Sequence, residues 1–148
     1  SPLAQGVFEA LVKEEGLQDR IIISSAGVSG WHVGNPPDAR MQQTALDHGI
    51  HLNSLARQFQ SSDFEQMDLV LAMDHSNLSA LKQMSAEPEL QDKLFLFRSF
   101  DPQHNNDFEV PDPYYGGDKG FETVYQIVDR TCPKVLDYLK VQLSKKYE

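Results

Sequence analysis

The sequence predicts a doubly wound α/β fold, with a parallel central sheet and helices on both faces. Two observations predict it. Ile21-Ile22-Ile23, Leu69-Val70-Leu71-Ala72-Met73 and Leu94-Phe95-Leu96-Phe97 are apolar runs without polar alternation, the pattern of strands buried on both faces. Between them lie segments whose apolar residues recur at helical spacing, and strands separated by helices lie parallel. The 148 residues are the size of one ordinary domain, so residues 1–148 read as a single domain.

The chain opens on a helix, with Leu3, Val7, Phe8, Leu11 and Val12 on one face. Ser1 is a good N-cap, Pro2 occupies the favoured first helical position, and Gly16 ends the segment. The isoleucine run is the first buried strand, followed by a long loop rich in Ser, Gly and Pro over residues 24–37. A second helix spans residues 38–48 and closes at Gly49. Ser62-Asp63-Phe64-Glu65 fits a capping box and marks a short helical turn. After the strand at residues 69–73, Asp74 caps a helix over residues 75–84. The third strand, residues 94–97, leads into a long polar loop over residues 101–120. The last helix carries Phe121, Val124, Tyr125, Val128, Cys132, Val135, Leu136 and Leu139 on one face. Pro133 falls inside it and should bend it or remove one hydrogen bond. In such folds the site lies at the carboxyl ends of the strands, beside a topological switch point. Those ends feed residues 24–37, the stretch from Asp74, and residues 98–120.

Composition narrows the function classes. There are 13 Lys+Arg and 22 Asp+Glu, a formal net charge of −9. An acidic surface repels phosphate backbones and anionic lipid, so neither nucleic acid nor membrane is an expected partner. No apolar run reaches transmembrane length and no signal-peptide pattern opens the chain. A single cysteine forms no internal disulfide, and the chain reads as cytoplasmic.

Several residues are candidates for chemistry. In Val110-Pro111-Asp112-Pro113-Tyr114-Tyr115-Gly116-Gly117, prolines on both sides stiffen the chain at Asp112. A carboxyl held on a stiff loop beside aromatic rings suits a general acid. The same residue types also suit an exposed turn. Ser1 and Pro2 open a helix whose free N–H groups and positive dipole end can hold an anion, although every helix has such an end. Trp31 sits between glycines on a loop; it either walls a pocket for an aromatic group or covers the sheet edge. Cys132 has no activating base nearby and reads as a small core residue. The histidines His32, His48, His51, His75 and His104 show no metal-ligand spacing, and no glycine-rich Walker-type motif occurs, so neither metal nor nucleotide cofactor is expected. Arg40 and Arg57 read as surface pairing or loop-anchoring residues, with Arg57 placed to bond loop carbonyls.

Taken together, these segments resemble the low-molecular-weight protein tyrosine phosphatases over essentially the whole chain. The resemblance rests on Ser1-Pro2-Leu3-Ala4-Gln5-Gly6-Val7-Phe8, Ser25-Ala26-Gly27, Gly34-Asn35-Pro36-Pro37-Asp38-Ala39-Arg40, His48-Gly49-Ile50, Ala56-Arg57-Gln58, Asp68-Leu69-Val70-Leu71-Ala72-Met73-Asp74 and Ser76-Asn77-Leu78. Its most specific stretch is Asp112-Pro113-Tyr114-Tyr115-Gly116. The resemblance implies the phosphotyrosine protein phosphatase I-like sheet and hydrolysis of phosphotyrosine proteins through a cysteinyl-phosphate. It implies that Asp112 is the general acid and that Ser1 closes the phosphate loop. Trp31, Tyr114 and Tyr115 would be aromatic walls of the substrate cleft, and Ser25 would support the loop. Phosphate and other oxyanions are then expected as inhibitors, and the two tyrosines match ones that are phosphorylated in some relatives.

One part of the family pattern has no match here. The family's Cys-x5-Arg loop, and the strand before it, precede the serine matched by Ser1, where this sequence starts. The first, central strand is therefore expected to be absent from residues 1–148. Cys132 does not replace the nucleophile, because position 138, where an arginine would be needed, is Tyr138. The expectation is a tyrosine phosphatase of which this is an N-terminally incomplete sequence; the alternative is a catalytically dead binding module. Arsenate reductases of similar fold use extra cysteines, and residues 77–84 contain none.

Overall fold

A parallel pair of short strands stands between two groups of helices. The computed structural model describes residues 1–31, 33–85, 87–113 and 117–146. The elements run α1 (Pro2–Glu14), α2 (Ala39–Asp47), α3 (Ser61–Gln66), β1 (Val70–Ala72), α4 (His75–Met84), α5 (Pro88–Gln91), β2 (Leu94–Leu96), a 3₁₀ turn (Phe97–Phe100) and α6 (Gly117–Lys146).

Local chemistry sets most helix ends. The Ser1 hydroxyl accepts from the Ala4 N–H at 3.3 Å, Asp38 accepts from the Arg40 N–H at 2.8 Å, and Asp74 accepts from the Asn77 N–H at 2.7 Å. Each satisfies a donor that the first helical turn leaves free. Gly16 and Gly49 close α1 and α2 at φ of +72° and +80°, a conformation that costs a residue with a Cβ.

β1 pairs with β2 in parallel, Val70 opposite Leu94 and Ala72 opposite Leu96. Successive side chains of a strand point to opposite faces, and both faces of this sheet are covered. Val70 and Ala72 pack with Phe59, Phe64, Leu81 and Leu94. Leu69, Leu71 and Met73 pack on the other cluster, built from Leu3 and Val7 of α1, Ala45 of α2, and Val128 and Val135 of α6. This is the two-sided α/β layering the apolar runs predict.

Some expectations fail. Residues 21–23 form no strand: Ile22 is 90% exposed, with Ile21 and Ile23 only half-buried. A β-branched run becomes a strand only against a partner backbone. Residues 21–25 and 69–73 line one cleft, and no described strand pairs with the isoleucines. The first bridge beyond them is Gly27 beside Gln58. The turn at residues 61–66 starts before the expected box, with the Gln60 N–H donating to Asp63 at 2.7 Å, while Ser62 stays exposed. The last strand ends at Leu96, because Phe97 and Arg98 turn inward to be buried in the 3₁₀ segment. α5 has no counterpart in the sequence reading; Pro88 sits in its first turn. α6 begins before Phe121 and continues through Pro133.

Candidate active site

Two loops and the start of α1 hold the sequence-derived candidates. The Ser25 hydroxyl donates to the Gln5 side-chain carbonyl at 2.6 Å, and the Gln5 N–H donates to the Ser1 carbonyl at 3.0 Å. The loop is thereby tied to the first turn of α1, and Ser1 and Ser25 line the same cleft. Arg57 anchors the loop as expected, but through a hydroxyl and a carboxylate in place of carbonyls. It donates to Ser24 at 3.0 Å and to Asp63 at 3.0 Å. Burial alone would raise the Asp63 carboxyl; the Gln60 N–H and the Arg57 guanidinium outweigh it and hold the group below its usual range. Arg40 pairs with Asp38 at 3.5 Å and lies over the Phe121 ring, 4.9 Å from its centroid.

Trp31 is 88% exposed. A ring covering the sheet edge would be buried, so that reading of Trp31 is overturned; its indole is presented to solvent. Its loop is held by main-chain bonds to the neighbouring segment. The Gly27 N–H donates to the Arg57 carbonyl at 2.9 Å, the Phe59 N–H to Gly27 at 2.8 Å, and the Gly34 N–H to Ala56 at 2.7 Å.

The loop carrying Asp112 is fastened differently. Asp101 is buried and accepts from Arg98 Nε at 3.0 Å, from Arg130 Nε at 2.8 Å and Nη2 at 3.0 Å, and from the Gln103 N–H at 2.8 Å. Burial pushes its carboxyl up, but Arg130, the Gln103 amide and Arg98 together bring it down to about 2. Arg98 also donates to the Glu109 carbonyl at 2.8 Å, and the Val110 N–H donates to the Met73 carbonyl at the end of β1 at 2.9 Å. On the far side, a Cβ on Gly120 would lie 2.5 Å from the Pro113 carbonyl oxygen, so α6 closes against the chain just past Asp112. Asp112 is exposed between these two anchors. Tyr114 and Tyr115 lie outside the described residues.

Cys132 is 1% exposed, and burial, with Asp129 nearby, pushes its thiol up to about 12. A thiol that does not ionise is no nucleophile; it is a core residue of α6. His48 meets Glu122 at 3.0 Å and stacks on Tyr125 at 3.6 Å between ring centroids. Among the described residues no group of His, Cys, Asp or Glu is placed to hold a metal ion, and no helix is long and apolar enough to cross a membrane.

Sequence reasoning missed the groups that fasten the Asp112 loop: Arg98, Asp101, Glu109, Arg130, His75 and Gly120. The one signal was the three-residue spacing of Arg98 and Asp101, which by itself is ordinary.

The family model for the low molecular weight phosphotyrosine protein phosphatases matches residues 1–146. The chain belongs to this family. A curated low molecular weight protein-tyrosine-phosphatase of Streptomyces coelicolor is 40% identical over 145 residues, covering 97% of this chain and 88% of that protein. The crystal structure of a protein tyrosine phosphatase from Entamoeba histolytica superposes with a TM-score of 0.90 at 32% identity, covering 96% of this chain and 90% of that one. The Drosophila arginine phosphatase has a TM-score of 0.85 at 36% identity over 95% of this chain and 90% of its own. The α/β phosphatase fold is thus shared along nearly the whole length of this chain.

Proposed function

We propose that this protein is a cytoplasmic phosphatase that hydrolyses phosphotyrosine in proteins, and simple aryl phosphates, with Asp112 as general acid. The observation that carries the reading is Asp112 itself: an exposed carboxyl flanked by prolines, with the chain before it bonded to the end of β1 and the chain after it packed on α6. A general acid needs a fixed position and access to the leaving group.

The chemistry follows the family's two-step course. A cysteine thiolate attacks phosphorus, so that an S–P bond forms and the P–O bond to the aryl group breaks. Asp112 gives its proton to the departing phenolate oxygen. The Asp112 carboxylate then takes a proton from water as the water oxygen attacks phosphorus and the S–P bond breaks, releasing phosphate and the thiolate. The thiolate belongs to the family's Cys-x5-Arg loop; the only cysteine in this sequence is the inert Cys132. Ser1 and the positive end of α1 make the phosphate end of the site. Ser25 steadies that end through Gln5. Trp31, Tyr114 and Tyr115 make the aromatic walls, and phosphate and other oxyanions compete for the anion position.

The test is hydrolysis of phenyl phosphate by the full protein and its Asp112→Ala variant. The expected loss in kcat/KM is about 10²–10⁴-fold. An unchanged rate across pH would remove the role assigned to Asp112. Tight phosphate binding without any turnover would show a binding module in place of an enzyme. Phosphoarginine hydrolysed in preference to phosphotyrosine would overturn the substrate class.

A further inference from the structure

Glu109 has a use for every polar group it carries. Its N–H donates to Asp107 Oδ1 at 3.0 Å, and its carbonyl accepts from Arg98 at 2.8 Å. Its carboxylate reaches across to α4, accepting from the His75 backbone N–H at 3.2 and 3.3 Å and lying 2.6 Å from His75 Nδ1. Toward a carboxylate, Nδ1 must be the protonated ring nitrogen. His75 is the first residue of α4, so the carboxylate also caps a free N–H at the positive end of that helix. α4 follows β1 directly and is the fixed side of this contact.

The position of the pair matters more than its strength. Arg98 and Arg130 already hold the root of the loop through Asp101. Glu109 stands three residues before Asp112, with Val110 and Pro111 between. Proline fixes its own φ and restricts the residue before it. Few soft dihedrals therefore separate Glu109 from the acid, and a shift at one end is transmitted to the other. Both side chains are about half-exposed, and pairs open to solvent add little to global stability.

We propose that His75 and Glu109 form a latch that positions Asp112 for proton transfer, making both of them positioning residues of the reaction. The latch rests on the reading of Asp112 as general acid. It acts on one step, the delivery of a proton to the leaving oxygen, and it matters most for leaving groups that depart poorly without that proton.

The experiment is a double-mutant cycle on the full protein, measuring kcat/KM with phenyl phosphate and with p-nitrophenyl phosphate in the parent, His75→Ala, Asp112→Ala and the double variant. His75→Ala is expected to lose about threefold to fivefold with phenyl phosphate, and less with p-nitrophenyl phosphate, whose leaving group is the weaker base. On the Asp112→Ala background it should cost nothing further, because nothing is left to position. His75→Asn, which keeps a donor near the place of Nδ1, should restore the rate. An equal loss on both backgrounds, or no loss in the parent, overturns the latch while Asp112→Ala remains slow. A fast Asp112→Ala variant would instead overturn the acid assignment, and the latch with it.

Discussion

Residues 24–37 and residues 98–113 both carry candidate site residues, yet the structure holds them by opposite means. The first loop is zipped to residues 56–59 by main-chain bonds, tied at its root by the Ser25–Gln5 bond, and carries Trp31 in solvent. The second is rooted on a buried carboxylate shared by two arginines and bonded again at Glu109 and Val110 before it reaches Asp112. The difference matches what each loop has to present. An aromatic wall tolerates variation in position, since stacking and apolar contact fall off gently. Proton transfer does not, and a displacement of about 1 Å can cost orders of magnitude in rate. Rigidity is concentrated where the chemistry needs it.

Removing the root of the second loop should have the largest effect. Asp101→Ala leaves Arg98, itself buried, and half-buried Arg130 without their shared partner. A loss of about 3–5 kcal/mol in urea unfolding is expected, with a fall in activity even in conditions where the variant is folded. A loss under about 1 kcal/mol would mean that the network is replaceable by water and that the contrast between the loops is overstated.

Acid sharpens the same point. The Asp101 carboxyl lies at about 2 in the folded protein against 3.8 for the free group. A depressed folded value means stability present above the unfolded value and lost as pH falls. The contribution, about 2 kcal/mol, should be intact above pH 3.8 and disappear as pH falls through about 2. The stability gap between the parent and Asp101→Asn should therefore narrow over that interval. A gap independent of pH would show that the carboxylate is not held as its contacts indicate.

The first loop should show the smallest stability effect. Trp31→Ala removes a ring that is already in water, and the change in unfolding free energy should stay within about 0.5 kcal/mol. Its effect belongs to substrate: KM should rise for aryl phosphates and much less for small alkyl phosphates. Equal changes for both classes would remove Trp31 from the cleft wall.

How much of this was legible beforehand depends on how far apart the interacting residues lie in the chain. Ser1 and Asp74 were readable as caps because each bonds a main-chain amide three residues away. The apolar stripe of α6 and the buried Cys132 were readable for the same reason, since helical periodicity is local. The motif around Asp112 was readable as a family signature, and the proline pair as a source of stiffness.

Residues 21–23 form no ladder among the described residues, because the isoleucines report a preference, while a ladder requires a second backbone. The fastening of the acid loop was invisible for a related reason. Arg130 meets Asp101 across 29 positions, and Glu109 meets His75 across 34. No spacing rule connects such pairs; folding brings them together. By itself the sequence determined most of the helices, the caps at Ser1 and Asp74, the two-faced sheet and the family. Only the tertiary structure decided which loop is held by buried charge and which stands in water, because a charge pair takes its energy from burial and geometry that exist only once distant segments have packed.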